Sequence, residues 1–177
     1  VATAYNDLRN REQALLHYQR ARTLDPANAR AAEGVGAALY HLKRDAEALT
    51  ALNQALRLDP DNFRLYGYRG GTYSHLRRFP EAEADLMRAS ELAPTETISL
   101  IVLADVYAKQ GKHQERLAAL EKAQRIEPQN EATRRLVAEA NLDLMRASKQ
   151  GPPPAGSSTA ATSAKPAGAN CKIAGVQ

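Results

Sequence analysis

The chain has 177 residues, 44% hydrophobic and 25% charged, the composition of an ordinary globular protein. Its net charge of +4 arises at one end: Lys149, Lys165 and Lys172 are accompanied by no acid, leaving 21 of the 24 basic side chains against all 20 acidic ones in residues 1–148. That near-neutral, interleaved pattern excludes a surface built to neutralise a row of phosphates, and no apolar run approaches the roughly 18 residues a spanning helix needs.

The N-terminal segment Val1 to Asp7 lacks a basic start followed by an apolar stretch, so it does not read as a secretory signal. Residues 1–8 match only the end of a helix that recurs downstream, which predicts an array beginning inside its first unit, with further repeats upstream. The recurrence is marked by Pro26, Pro60, Pro94 and Pro128, spaced 34 residues apart and closing the phrases Arg-Thr-Leu-Asp-Pro, Arg-Leu-Asp-Pro, Glu-Leu-Ala-Pro and Arg-Ile-Glu-Pro. A fixed period of that length, with two helical patterns inside it, predicts units that cannot bury their own apolar faces and must stack. The units fall at about 1–28, 29–62, 63–96 and 97–130. The second predicts helix A over about 30–42 and helix B over about 46–59; the third, about 64–76 and 80–93; the fourth, about 98–110 and 114–127.

Gly111 sits where a helix A must end in a left-handed conformation, and Pro80 where a helix B begins and a missing N–H costs nothing. Asn28, Asn62 and Asn130 each follow a proline by two residues, where a side-chain oxygen can accept from the first free amides of the next helix. Residues 131–148 form one more amphipathic helix, with Leu136, Val137, Ala140 and Leu144 on one side and Arg134, Arg135, Glu139 and Asp143 on the other, the pattern of a capping helix. Residues 149–177 turn to Pro, Gly, Ser, Thr and Ala, too little apolar surface to offset ordering, and are expected to be a disordered tail. Cys171, the single cysteine, lies there and is expected to be an inert tail residue.

Small residues recur in register: Ala2, Gly36, Gly70 and Ala104 in helix A; Ala14, Ala48 and Ala82, and again Ala21, Ala55, Ala89 and Ala123, in helix B. Larger ones, Tyr5, Leu39, Tyr73, Tyr107 and Tyr18, Leu52, Leu86, Leu120, alternate with them. Over residues 1–148 this combination resembles the tetratricopeptide repeat. The resemblance implies an all-α, right-handed solenoid of antiparallel helix pairs, four units with the first truncated, closed by the capping helix, its inner wall lined by A helices. Two departures stand out. Arg116 holds the small helix B place in the fourth unit, which predicts looser packing there unless its stem lies along the surface with its charge in water. The family's early aromatic in helix A survives only as Tyr66, being Ala32 and Leu100 in the neighbouring units, which predicts uneven stability along the array.

No glycine-rich phosphate loop, nucleophile elbow or His-Glu-x-x-His pattern occurs, so no catalytic residue, cofactor or metal is expected. His41 and His75 share a register on adjacent A helices, about 8–10 Å apart by helix packing; lacking further ligands, they are expected to be exposed imidazoles at the groove edge. By resemblance the groove-facing set is Asn6, Arg30, Glu33, Tyr40, His41, Arg64, Tyr68, Ser74, His75, Ile98, Ile101, Asp105 and Lys109. Arg30, Arg64, Tyr40 and Tyr68 surround a recess made by glycines, and Ile98 and Ile101 follow with Asp105 and Lys109 at the margin. An extended peptide with an acidic stretch and an apolar anchor would complement that gradient. The family's grip on a C-terminal carboxylate needs a matched Lys, Asn and Arg set, but the equivalent places here hold Glu33, Ala37, Tyr68, Ile98 and Val102.

The expected function is a non-enzymatic scaffold holding a protein or peptide in its concave face. The Ala- and Arg-rich wording resembles bacterial members, in the cytoplasm or periplasm, which often serve envelope assembly, secretion or pilus biogenesis. A spacer or self-association module, or the substrate-recruiting part of a larger enzyme, are the alternatives.

Overall fold

The computed structural model describes residues 2–150, with side-chain surroundings for residues 9–149. The described residues form eight α-helices and no strand: α1 (Ala2–Leu24), α2 (Ala29–His41), α3 (Asp45–Leu58), α4 (Phe63–His75), α5 (Phe79–Leu92), α6 (Ile98–Gln110), α7 (His113–Ile126) and α8 (Glu131–Gln150). None of them is long and apolar enough to cross a membrane. Consecutive helices pack on each other, and α2 also packs on α4 and α4 on α6, so the chain is an all-α helical-repeat solenoid.

Local chemistry sets the corners. Asn28 Oδ1 accepts from the Ala31 amide at 2.8 Å, Asn62 Oδ1 from Arg64 at 3.0 Å and Asn130 Oδ1 from Thr133 at 3.2 Å, satisfying donors that a helix start leaves open. In the fourth unit Glu96 takes the asparagine place, and α6 starts after Thr97, which makes no side-chain cap. The Thr97 hydroxyl instead donates to Glu127 at 2.8 Å, tying this corner to the next.

The three turns between helices A and B close alike. Gly111 is left-handed at φ 72°, and Lys43 and Arg77 adopt the same region at φ 59°. A non-glycine residue there costs about 1–2 kcal/mol. The amides after each, Arg44, Arg78 and Lys112, donate to Leu39, Tyr73 and Tyr107 five residues back at 2.9–3.0 Å, closing helix-end carbonyls. The same register in the first unit is Arg9, yet α1 runs through it unbroken. The separate end of helix A expected over residues 1–8 is therefore not formed. Continuing the helix through Arg9 keeps its backbone hydrogen bonds and avoids the cost of a left-handed residue.

The core lies between the helix pairs. Leu52, Leu65, Leu86 and Leu120 are fully buried, each worth about 1.5–3 kcal/mol of apolar transfer. Leu52 and Leu86 press against Gly36 and Gly70, where an added Cβ would stand 2.5 and 2.8 Å from them. At the far end Leu136, Val137 and Ala140 of α8 pack on Ala104, Ala119 and Leu120. The outer face of α8 is not wholly polar: Leu142 and Met145 are 52% and 59% exposed. Arg116 also departs from expectation, because its charge is not in water. The side chain is 12% exposed, 2.5 Å from Asp143 and 3.7 Å from Glu139, so the misfit residue ties the last helix to the array. Residues 151–177, including Cys171 and most of the tail, lie outside the described residues.

Candidate functional site

The A helices α2, α4 and α6 line one side of the array, and two cavities meet along it. One, of about 380 Å³, lies over α4 and α6 between Tyr40, Phe63, Tyr68, Ile98 and Val102, with Gly67 and Ser99 beneath and Arg64 and Glu96 at the mouth. The other, of about 680 Å³, lies over α1, α2 and α4 and carries Arg11, Arg30, Glu33, Asp59 and Arg64 with Tyr18. His41, Arg64 and Tyr68 belong to both, making a continuous groove with an apolar and a cationic half.

Glycines shape it in two ways. At Gly34 and Gly71 the space of a side chain is taken by an aromatic ring of the preceding unit, Tyr18 and Tyr40 respectively. A Cβ at Gly67 would meet nothing closer than Ser99 Oγ at 3.8 Å, so Gly67 alone among these leaves an open floor.

Tyr40 organises the centre. Its ring stacks on His75 at 5.1 Å with 4° between planes, meets His41 edge-on at 5.1 Å and lies 5.5 Å from Tyr68. Burial raises both phenol pKa values above the ordinary range, so at neutral pH their hydroxyls are hydrogen-bond donors. His75 is not an exposed imidazole: its side chain is 18% exposed, Nδ1 lies 2.9 Å from Asp45 Oδ1 and Nε2 lies 2.7 Å from Lys43 Nζ. Asp45 can accept from Nδ1 only if that nitrogen carries the proton, leaving Nε2 to accept from the ammonium. His41 remains exposed, and burial of part of its ring, with Arg11 and Lys43 nearby, lowers its pKa. Among the described residues no group of three or more His, Cys, Asp or Glu side chains could hold a metal ion.

Models of the tetratricopeptide repeat match residues 2–63 and 99–130, together more than half of the chain. The chain belongs to the tetratricopeptide repeat family. Repeats of this family serve as protein–protein interaction scaffolds. Among solved structures, a thermophilic tetratricopeptide repeat protein of Thermus thermophilus is similar, with TM-score 0.71 and 26% identity over 80% of this chain and 78% of that one. MamA gives a TM-score of 0.62 at 18% identity, over 78% of this chain and 91% of that one. The first tetratricopeptide domain of Spaghetti (RPAP3), bound to the HSP90 peptide SRMEEVD, gives 0.61 at 21% identity, over 66% and 93%. No curated protein sequence matches the chain.

Within the tetratricopeptide array the groove residues named from sequence divide. Arg30, Glu33, Tyr40, His41, Arg64, Tyr68 and Ile98 come together around the two cavities. Ile101 and Asp105 line a separate depression of about 120 Å³ with Arg116 and Leu136, facing α8. Ser74 is 4% exposed and accepts from Lys109 Nζ at 3.0 Å, so it backs the wall instead of facing a partner. Lys109 itself is held by Asp105 at 2.7 Å. The side chain of Asn6 lies outside those described.

Phe63, Glu96 and Ser99 line the groove and were not singled out; Val102 and Tyr18 line it too, named from sequence only as a grip position and a packing residue. Val102 and Tyr68 share a register with Gly34, and that lone glycine signals that something else, the Tyr18 ring, fills the wall in the second unit. Nothing in the sequence pointed to Glu96.

Proposed function

We propose that this tetratricopeptide array is a binding scaffold whose concave groove over α2, α4 and α6 holds an extended segment of a partner protein. The observation that carries the reading is the junction of the two cavities at His41, Arg64 and Tyr68, which joins distinct surfaces on either side. The first Spaghetti domain, of like fold, holds a peptide. The places where the family grips a C-terminal carboxylate hold Glu33, Ala37, Tyr68, Ile98 and Val102, which favours an internal segment over a chain end. Bacterial envelope assembly, secretion or pilus biogenesis, the contexts implied by analogy with the bacterial members that the repeats resemble, are where the partner is to be sought.

The test is affinity capture from the native source with the wild-type chain beside an Arg30→Glu, Arg64→Glu, Tyr68→Ala variant, retained proteins being identified by mass spectrometry. Partners retained by the wild type and lost by an equally stable variant support the groove. Partners retained by both move the binding surface to the convex side or the ends.

A second reading has its own observation. The exposed Leu142 and Met145 on α8 offer an apolar edge for self-association. A monomeric mass in solution at high concentration, by light scattering, removes it.

A further inference from the structure

The reading of the groove as a peptide channel leaves open what the peptide must contain, and the two cavities differ enough to say. The cavity over α4 and α6 is walled by Tyr68, Ile98 and Val102 and has an open floor at Gly67, an apolar space with room for a bulky side chain. In the neighbouring cavity the acids are already engaged: Glu33 and Asp59 both accept from Asn62 Nδ2, at 3.1 and 3.0 Å. Arg64 lies 3.7 Å from Glu33 with 64% of its side chain exposed, and Arg30 makes no hydrogen bond or ion pair among the described residues. Two guanidinium groups are therefore offered to a ligand at one end and an apolar hole at the other.

The spacing follows from the scaffold. Successive gaps between A helices are about one helix spacing apart, about 8–10 Å. A polyproline II segment rises about 3.1 Å per residue with three residues per turn, so side chains three residues apart point the same way about 9 Å apart. Resting on the groove reading above, we infer that the array selects internal segments carrying a large aliphatic side chain and a carboxylate three residues away, the first over Gly67 and the second between Arg30 and Arg64. A carboxylate suits two planar, weakly hydrated guanidinium forks better than any neutral group does.

The experiment uses the full 177-residue chain and peptides carrying an uncharged BODIPY label, acetylated and amidated so that neither a terminal charge nor the dye competes. The set is Leu-Pro-Gln-Glu in a Ser/Pro context, in both orders, with Leu and Glu also two and four apart, and with Glu replaced by Gln or Lys. Anisotropy should show strongest binding at the three-residue spacing in one order. Leu→Ala in the peptide should weaken it by at least about tenfold. Glu→Gln should weaken it about fivefold at low salt, an effect shrinking as salt rises. The Arg30→Glu, Arg64→Glu protein should prefer the Lys peptide.

Peptides that bind through Leu, compete with one another and are blocked by Gly67→Leu, yet show no order among Glu, Gln and Lys, overturn this inference while leaving the groove reading intact. Binding indifferent to spacing also overturns it. Absence of binding by every member overturns it as well, and the capture experiment above then judges the groove reading by itself.

Discussion

Gly67 and Gly70 lie three residues apart in α4, and the structure assigns them opposite responses to the same substitution. A helix-interior glycine is about 0.8–1.0 kcal/mol less favourable than alanine. At Gly67 the new methyl meets only Ser99 Oγ at 3.8 Å, ordinary contact, so Gly67→Ala should gain nearly all of that. For an array of this length it should raise the thermal midpoint by about 2–4 °C. At Gly70 the methyl would stand 2.8 Å from Leu86 Cγ and 3.2 Å from the Ala82 carbonyl oxygen. Leu86 is fully buried, and neither atom is the free end of a flexible chain, so overpacking of about 1–3 kcal/mol outweighs the propensity gain. Gly70→Ala should lower the midpoint. Circular dichroism at 222 nm on the two variants and the wild type decides it. A fall for Gly67→Ala, or equal shifts for both, would refute the assignment of Gly67 to an open floor and Gly70 to a helix contact.

The Arg116 ion pair predicts non-additivity. Asp143→Ala leaves a cation 12% exposed with only Glu139 at 3.7 Å, and should cost about 1–2 kcal/mol, below the 3–5 of a fully buried pair because Asp143 is 28% exposed. Adding Arg116→Ala, which restores the alanine of the other units, should recover most of it; additive losses in urea unfolding would contradict the pairing. His41 gives a pH prediction: its folded pKa is lowered, so its contribution is present above the unfolded value of about 6.5 and is lost as pH falls through the folded one. The unfolding midpoint should therefore drop below about pH 6.5, and less steeply in His41→Gln; parallel curves would remove His41 from the account. Deleting residues 131–150 should uncover Ala119 and Leu120 and cause aggregation, and a monomeric deletion variant with unchanged melting would contradict the capping role of α8.

The fold was legible because its signal is repeated. Pro26, Pro60, Pro94 and Pro128 fix the period, and the predicted helices in the second to fourth units match α2 to α7 within a residue at each end. What escaped was whatever depends on a neighbour. Lys43 and Arg77 take a left-handed conformation that residue identity argues against, because the closing hydrogen bonds of the turn outweigh the local cost. Arg9 has no such support and stays helical.

The groove was half legible for the same reason. The family resemblance put Arg30, Arg64, Tyr40 and Tyr68 on one wall, but it could not show that Gly71 is filled by Tyr40 while Gly67 stays open. Nor could it show that Ser74 hides behind Lys109, since that contact joins residues 35 apart. His75 looked equivalent to His41 by position, yet it is His75 whose ring lies within hydrogen-bonding distance of Asp45 and Lys43.

The most direct measurement is site-specific photo-crosslinking in the native source, with benzoylphenylalanine placed at Ile98 on the groove rim or at Met87 on α5, 69% and 49% exposed. The account predicts a discrete protein adduct from Ile98 that is lost in the Arg30→Glu, Arg64→Glu background, and none from Met87. An adduct from Met87 alone, or one from Ile98 indifferent to both arginines, would contradict it.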